Sequence, residues 1–268
     1  MNKHSFAVMA YKDSPWLTAC LDSLMSQTVN SEIFITTSTP SLYIDETAKR
    51  YGIQVFVTEP GKGIAHDWNF SFASANTKYV TLAHQDDVYV SHYTERCIKA
   101  AEKFDDTLIC FTAYSELIND DKERSSTLML NVKKLLRFAF MPFKKNISSK
   151  TWKKLSQAFG TPIPCPTVMF NKERLGDFTF SEKYKVSLDW DAWLRMSAMN
   201  GRFVFVPEIL VKHRIHPGSA TTEGIKANVR QQEDFEIYCR IWPKFMARIL
   251  TRFYAGSYKS NKVQIPGK

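Results

Sequence analysis

Apolar residues run along this chain in two alternating rhythms, short unbroken runs and stretches in which they return every third or fourth position. Unbroken apolar runs bounded by turn residues suit buried strands, while the longer period suits helices with one buried face. Residues 5–11 read as a strand. Ser14-Pro15 then supplies a cap and a first-turn proline for a helix bearing Leu17, Leu21, Leu24 and Met25. Strands follow at 32–37 and 53–57, around a helix over 41–51 that Gly52 closes. Gly61-Lys62-Gly63 leads into a helix over 64–75, a strand begins at Tyr79, a helix spans 91–104 and a strand 107–114. Strands separated by helices of this length predict an α/β fold with a mostly parallel central sheet flanked by helices.

From 116 to 161 the rhythm breaks. Val132, Leu135, Leu136, Ala139 and Phe143 keep a helical spacing that Pro142 interrupts, and a short helix is expected over 151–159. This stretch is too small for its own core and reads as a basic helical insertion or lid. Pro162-Ile163-Pro164-Cys165-Pro166 forces extended backbone, and 167–170 resumes a strand. A helix over 187–200, strands over 203–206 and 209–215, and a C-terminal amphipathic helix over 241–254 complete the pattern. In that last helix Trp242, Phe245, Met246, Ile249, Leu250 and Phe253 are assigned to one face and Lys244, Arg248 and Arg252 to the other. The apolar stripe either packs on the main body of the fold or lies in a membrane interface. The boundaries expected are a main domain over 1–220 and a basic helical extension over 221–268.

Charge sharpens this division. The net charge is +9, yet 121–160 hold ten Lys/Arg against two acidic residues, and 240–268 hold seven against none. A mildly acidic body thus carries two basic segments, which suit an anionic surface or substrate. No recognised nucleic-acid-reading module is present. The five cysteines are odd in number and lack metal-type spacing, and no apolar run reaches the ~20 residues of a membrane span. A cytoplasmic protein, peripheral on the inner face of the membrane, is the expectation.

Candidate chemistry gathers at three places. The strand at Tyr79 ends in His84-Gln85-Asp86-Asp87, at the sheet edge where ligands of open α/β folds bind. Adjacent carboxylates repel unless a cation or hydrogen bonds hold them, so the pair is either a solvated turn or a site for a hard cation, Mn²⁺ or Mg²⁺. Asp189-Trp190-Asp191 opens an otherwise apolar helix. Asp189 is either a simple cap, favoured by the helix dipole, or a general base. In His213-Arg214-Ile215-His216-Pro217-Gly218, strand alternation assigns Arg214 and His216 to one face and His213 and Ile215 to the other.

Taken in order, these clusters resemble glycosyltransferase family 2, inverting enzymes of GT-A (Rossmann-like) fold. Phe6-Ala7-Val8-Met9-Ala10-Tyr11 is similar to the family's first strand, His84 to Asp87 to its acidic metal motif, and Leu188 to Arg195 to the helix bearing its base. Val206 to Leu210 and His213 to Ser219 resemble its closing segment. The resemblance implies a metal-dependent hexosyltransferase that takes a nucleotide-diphosphate sugar, a UDP-sugar first, to a hydroxyl of a glycan or lipid-linked acceptor in envelope polysaccharide synthesis. It implies donor contacts from Ala10, Tyr11, Asp13, Thr37, Lys62, Asn69, His84, Gln85 and Asp86, and metal contacts from Asp86, Asp87 and His216. Asp189 becomes the base, with Trp190 and Asp191 as acceptor or supporting residues. Thr36-Thr37-Ser38-Thr39 stands where the family usually has Asp, Trp68 where an Arg often precedes the Asn, and Leu188 where a Glu precedes the base. Two other readings are a sugar-phosphate nucleotidyltransferase, whose Gly-rich triphosphate loop Ala10 to Pro15 does not resemble, and a non-catalytic glycan- or membrane-binding module.

Overall fold

The computed structural model describes residues 2–118, 122–126, 131, 135, 145–216 and 229–257. Strands β1 (His4–Ala10), β2 (Glu32–Thr37), β3 (Gln54–Val57), β4 (Tyr79–His84), β5 (Val88–Tyr89), β6 (Thr107–Ile118), β7 (Lys122–Arg124), β8 (Asn146–Ile147), β9 (Val168–Asn171) and β10 (Arg202–Ile215) form one sheet. Its order is β3-β2-β1-β4-β9-β6-β10-β5, with β7 on β6 and β8 on β10. The half built from β3, β2, β1 and β4 is parallel, as the alternating pattern predicts. Beyond it the sheet is mixed. Strand β9 runs antiparallel between β4 and β6, and β5 runs antiparallel to β10.

Helices α1 (Leu17–Met25), α2 (Leu42–Tyr51), α3 (Ile64–Ser74), α4 (Tyr93–Ala101), α5 (Lys150–Ser156), α6 (Lys172–Leu175), α7 (Leu188–Ser197), α8 (Val229–Cys239) and α9 (Lys244–Ser257) surround the sheet. Strand alternation sorts the core into two layers. Phe6, Val8, Tyr79 and Ala83 join α1, α2 and α4 on one face. Ala7, Val80 and Leu82 join α3, α7 and α8 on the other.

Local chemistry explains the element ends. The Ser41 hydroxyl accepts the Ile44 N–H at the start of α2, and Gly52 takes a left-handed φ of 64° at its end. The cap expected at Ser14-Pro15 is displaced. Helix α1 begins after Trp16, and the Ser14 hydroxyl accepts the Trp16 N–H within the turn. The two strands expected over 203–206 and 209–215 are one strand, interrupted only by register shifts near Val206 and Ile209 where Pro207 breaks the ladder. The insertion residues Val132, Leu136, Ala139, Pro142 and Phe143 lie outside the described residues, as do Pro217 to Ser219.

The C-terminal helices are keyed into the body. Glu233 of α8 accepts the backbone N–H groups of Lys185, Val186 and Ser187, at 2.6, 3.0 and 2.8 Å. Asp234 accepts the Ser187 hydroxyl at 2.9 Å, and the Tyr238 ring meets Trp190 edge-on at 4.8 Å. These contacts hold the loop that feeds α7. The last helix does not bury the whole face that the spacing assigns to it. Ala247, Leu250, Thr251 and Tyr254 turn inward, while Phe245, Ile249 and Phe253 are exposed. A helix this short offers one inward stripe, and the apolar residues it carries exceed what that stripe can bury.

Candidate active site

Strand β4 delivers His84 to the carboxyl edge of the sheet, and a turn closed by the Asp87 N–H to the His84 carbonyl (3.2 Å) places both carboxylates there. Because β5 pairs antiparallel with β10, the end of β10 arrives beside that turn. His213 Nδ1 sits 2.9 Å from Asp87 Oδ1, which also accepts the Arg214 backbone N–H at 2.8 Å. His216 Nε2 lies 2.8 Å from Asp86 Oδ2, and the Arg214 guanidinium donates to the Asp86 carbonyl at 2.9 Å. Burial pushes the Asp86 carboxyl up, but the His216 hydrogen bond and the neighbouring His84 and His213 rings outweigh it and hold the group below the ordinary carboxylate range.

The alternation argument separated His213 from His216, yet both reach the aspartate pair. His213 and the Arg214 backbone reach Asp87 while the Arg214 and His216 side chains reach Asp86, so all three converge on the turn. Trp16 completes this corner, its ring 4.3 Å from His216 and 5.3 Å from the Arg214 guanidinium. The sequence pattern passed over Trp16, and it placed His213 and Arg214 in the third cluster without giving either a role. For His213 and Arg214 the advance signal was the density of His and Arg at a strand end; Trp16 had none.

Asp87 is fully buried, and its second oxygen, Oδ2, has no hydrogen-bond partner. The same holds for His84 Nε2. A buried carboxylate oxygen left unpaired carries a large desolvation cost, which a cation relieves. Ligand atoms of His84, Asp86 and Asp87 lie within 4.8 Å of one another. This donor set of imidazole nitrogen and carboxylate oxygens fits a divalent metal with water and phosphate completing its shell.

The remaining donor-side residues fall around the ends of β1 and β2. Ala10 is buried and Tyr11 is 54% exposed. The Gln85 amide bridges both backbone groups of Tyr11, accepting its N–H at 3.2 Å and donating to its carbonyl at 2.9 Å. Lys12 follows with a φ of 57°, its N–H donating to Thr39 Oγ1 at 2.6 Å. Asp13 accepts the Ser41 hydroxyl at 2.6 Å, and Thr37 is buried, its hydroxyl accepting the Thr39 N–H. Lys62 is ion-paired with Glu59 on the surface. Asn69 has both ends of its amide on the Phe180 backbone, accepting the N–H at 2.6 Å and donating to the carbonyl at 2.9 Å, so it ties α3 to the 178–181 loop.

Asp189 stands in the first turn of α7, partly buried. The thiol of Cys165 is pushed up by burial and, further, by the charges of both Asp189 and Asp87. Both carboxylates thus lie near enough to the Cys165 thiol to act on it. Trp190 is fully buried, donating from Nε1 to the Gln157 carbonyl at 3.0 Å. Asp191 is buried between Arg195 and Arg240, whose nitrogens lie 2.8 and 2.5 Å from its oxygens. Both are therefore placed as supports of the helix.

Comparison with known proteins bears on the fold and the family. No curated protein sequence matches the chain. Among solved structures, S. aureus TarS superposes with a TM-score of 0.61 at 15% identity, over 96% of this chain and 44% of that one, so this chain spans less than half of full TarS. TarS 1-349 matches with a TM-score of 0.63 at 14% identity, over 98% and 76% of the two chains, and has also been solved with UDP and with UDP-GlcNAc. Mannosyltransferase PcManGT from Pyrobaculum calidifontis, in complex with GDP-Man and Mn²⁺, gives a TM-score of 0.64 at 15% identity over 97% and 70%. These similarities establish the GT-A fold. The model of the family described as "Glycosyl transferase family 2" matches residues 5–170, a span that includes the His84–Asp87 turn and ends before Asp189. The chain belongs to glycosyl transferase family 2.

Proposed function

We propose that this protein is an inverting glycosyltransferase that moves a sugar from a nucleotide-diphosphate donor, a UDP-sugar first, to a hydroxyl of a glycan or lipid-linked acceptor in envelope polysaccharide synthesis. The observation that carries the reading is the buried, unpartnered Asp87 Oδ2 beside Asp86 and His84 at the sheet edge, with the charges of Asp87 and Asp189 both felt by the Cys165 thiol. Gln85 fixes the backbone at Tyr11, which leaves that ring exposed to border a nucleotide base. His213, Arg214 and His216 orient the two aspartates and offset their charge beside a diphosphate. When bound by His84, Asp86 and Asp87, Mn²⁺ or Mg²⁺ would supply Lewis-acid stabilisation of the departing diphosphate. Asp189 takes the proton of the acceptor hydroxyl, whose oxygen forms the new bond to the anomeric carbon as the bond to the diphosphate breaks on the opposite face.

Asp189→Asn tests the assignment, because the amide keeps the shape and loses the base. Release of nucleoside diphosphate from donor and acceptor is expected to fall by about 10²- to 10⁴-fold, with diphosphate affinity unchanged. Wild-type turnover in this variant would remove Asp189 from the mechanism.

A further inference from the structure

Helix α9 carries a surface pattern that a transferase fold alone does not require. Three successive turns each present one cation and one large apolar side chain to solvent: Lys244 with Phe245, Arg248 with Ile249, and Arg252 with Phe253. Phe245, Ile249 and Phe253 are 66%, 51% and 78% exposed. At i, i+4 and i+8 they form a row along the helix, and the cations form a second row beside it. The opposite side is already used, since Ala247, Leu250 and Tyr254 pack into the core. Tyr254 also lies against Trp190 and beside Gly160. The exposed rows are therefore not a core face waiting for this helix to turn over.

Single exposed apolar residues are ordinary, but an aligned row of two phenylalanines and an isoleucine marks an interaction surface. The charge beside it selects the partner. No acidic residue occurs anywhere from Arg240 to the end of the sequence. A two-fold dimer through this patch would set the basic row of one copy close to that of its twin with no carboxylate on the helix between them. An anionic lipid surface meets both rows at once. Aromatic and aliphatic side chains enter the acyl boundary while Lys and Arg remain at the phosphate level. No helix among the described residues is long and apolar enough to cross a membrane, so the contact is in the plane of the interface.

We propose that α9 docks this protein on an anionic phospholipid surface through Phe245, Ile249 and Phe253, with Lys244, Arg248 and Arg252 reading the phosphate charge. The same helix packs through Tyr254 on Trp190, the neighbour of Asp189 in α7.

The test is co-sedimentation of the full chain with vesicles of phosphatidylcholine alone and with one-third phosphatidylglycerol, at low and high salt. Binding is expected to require phosphatidylglycerol, to weaken with salt, and to fall at least about tenfold in Arg248→Glu/Arg252→Glu and in Phe245→Ser/Phe253→Ser. Both variants change exposed side chains, so their urea midpoints should match wild type, which separates lost docking from lost folding. Equal binding to both vesicle types, binding untouched by either variant, or no binding by the wild type would overturn the proposal. So would a dimer in sedimentation equilibrium that Phe245→Ser/Phe253→Ser splits, because a second copy would then own the patch. None of these readouts depends on transferase activity, so failure here leaves the proposed reaction standing.

Discussion

Removing the Glu233 carboxylate should loosen the helix that carries Asp189. Its two oxygens accept three backbone N–H groups from the loop entering α7, where no side-chain cap is made by Ser187 itself. The three donors are not equally dependent on it. Lys185 is exposed, so water replaces its partner. Val186 is half-buried, and Ser187 is fully buried, so its N–H loses the carboxylate oxygen that accepts it and water does not reach it. One buried orphan costs about 1–3 kcal/mol and a partly buried one less. The loss of a negative charge at a helix start adds about 0.3–1 kcal/mol. Glu233→Ala is therefore expected to destabilise the protein by about 3 kcal/mol, and Glu233→Gln, which keeps one accepting oxygen, by about half as much. With a urea m-value of about 3 kcal/mol/M, the alanine variant should unfold about 1 M earlier, read by tryptophan fluorescence. Near neutral pH and at a permissive temperature, its turnover should fall about 10- to 100-fold through misplacement of Asp189 while nucleotide affinity holds. An alanine variant with the wild-type midpoint would refute the reasoning, since the N–H groups would then be satisfied without the carboxylate.

Two further outcomes follow from other parts of the fold. His4 is buried between Ser31 and Thr81, and burial drives its pKa down to about 3. The unfolded chain, with an ordinary imidazole near 6.5, binds the proton first. Stability from this site is thus complete above about pH 6.5 and declines by about 1.4 kcal/mol per pH unit as the pH falls towards 3. His4→Gln should flatten that acid slope in denaturation midpoints taken from pH 7 to pH 4; an unchanged slope would assign it elsewhere. Gly201 has a φ of 123°, and an added Cβ would stand 2.5 Å from the Asp106 carbonyl, whereas Gly61, with a φ of 78°, has open space. Gly201→Ala should cost more than about 2 kcal/mol by thermal unfolding and Gly61→Ala about 1, and equal losses would contradict the steric account.

The half of the fold built from alternating strand and helix was legible because strand faces and helix caps are local. Ser41 and Gly52 bound α2 as their chemistry predicts, and β1 to β4 pair in parallel as their connections require. The antiparallel insertion of β9 was not legible, since a four-residue strand with three apolar residues, Val168 to Phe170, carries no sign of direction. The site divided the same way. Asp86 and Asp87 announced themselves by sitting together at a strand end. The contribution of His213 depended on β10 arriving beside the 84–87 turn, and that of Trp16 on a helix start brought close by the fold. Neither leaves a periodic mark. Helix α9 misled because amphipathicity was read as one face, whereas its exposed surface is itself half apolar.

The central claim is that the buried Asp87, with Asp86 and His84, forms the donor site. Calorimetric titration of UDP, GDP, CDP and dTDP, with and without Mn²⁺, on wild type and Asp87→Ala tests it most directly. The account predicts that one diphosphate, UDP first, binds only with Mn²⁺ and that the alanine variant loses this binding while remaining folded. Failure of every diphosphate to bind, or binding that neither Mn²⁺ nor Asp87 affects, would contradict it.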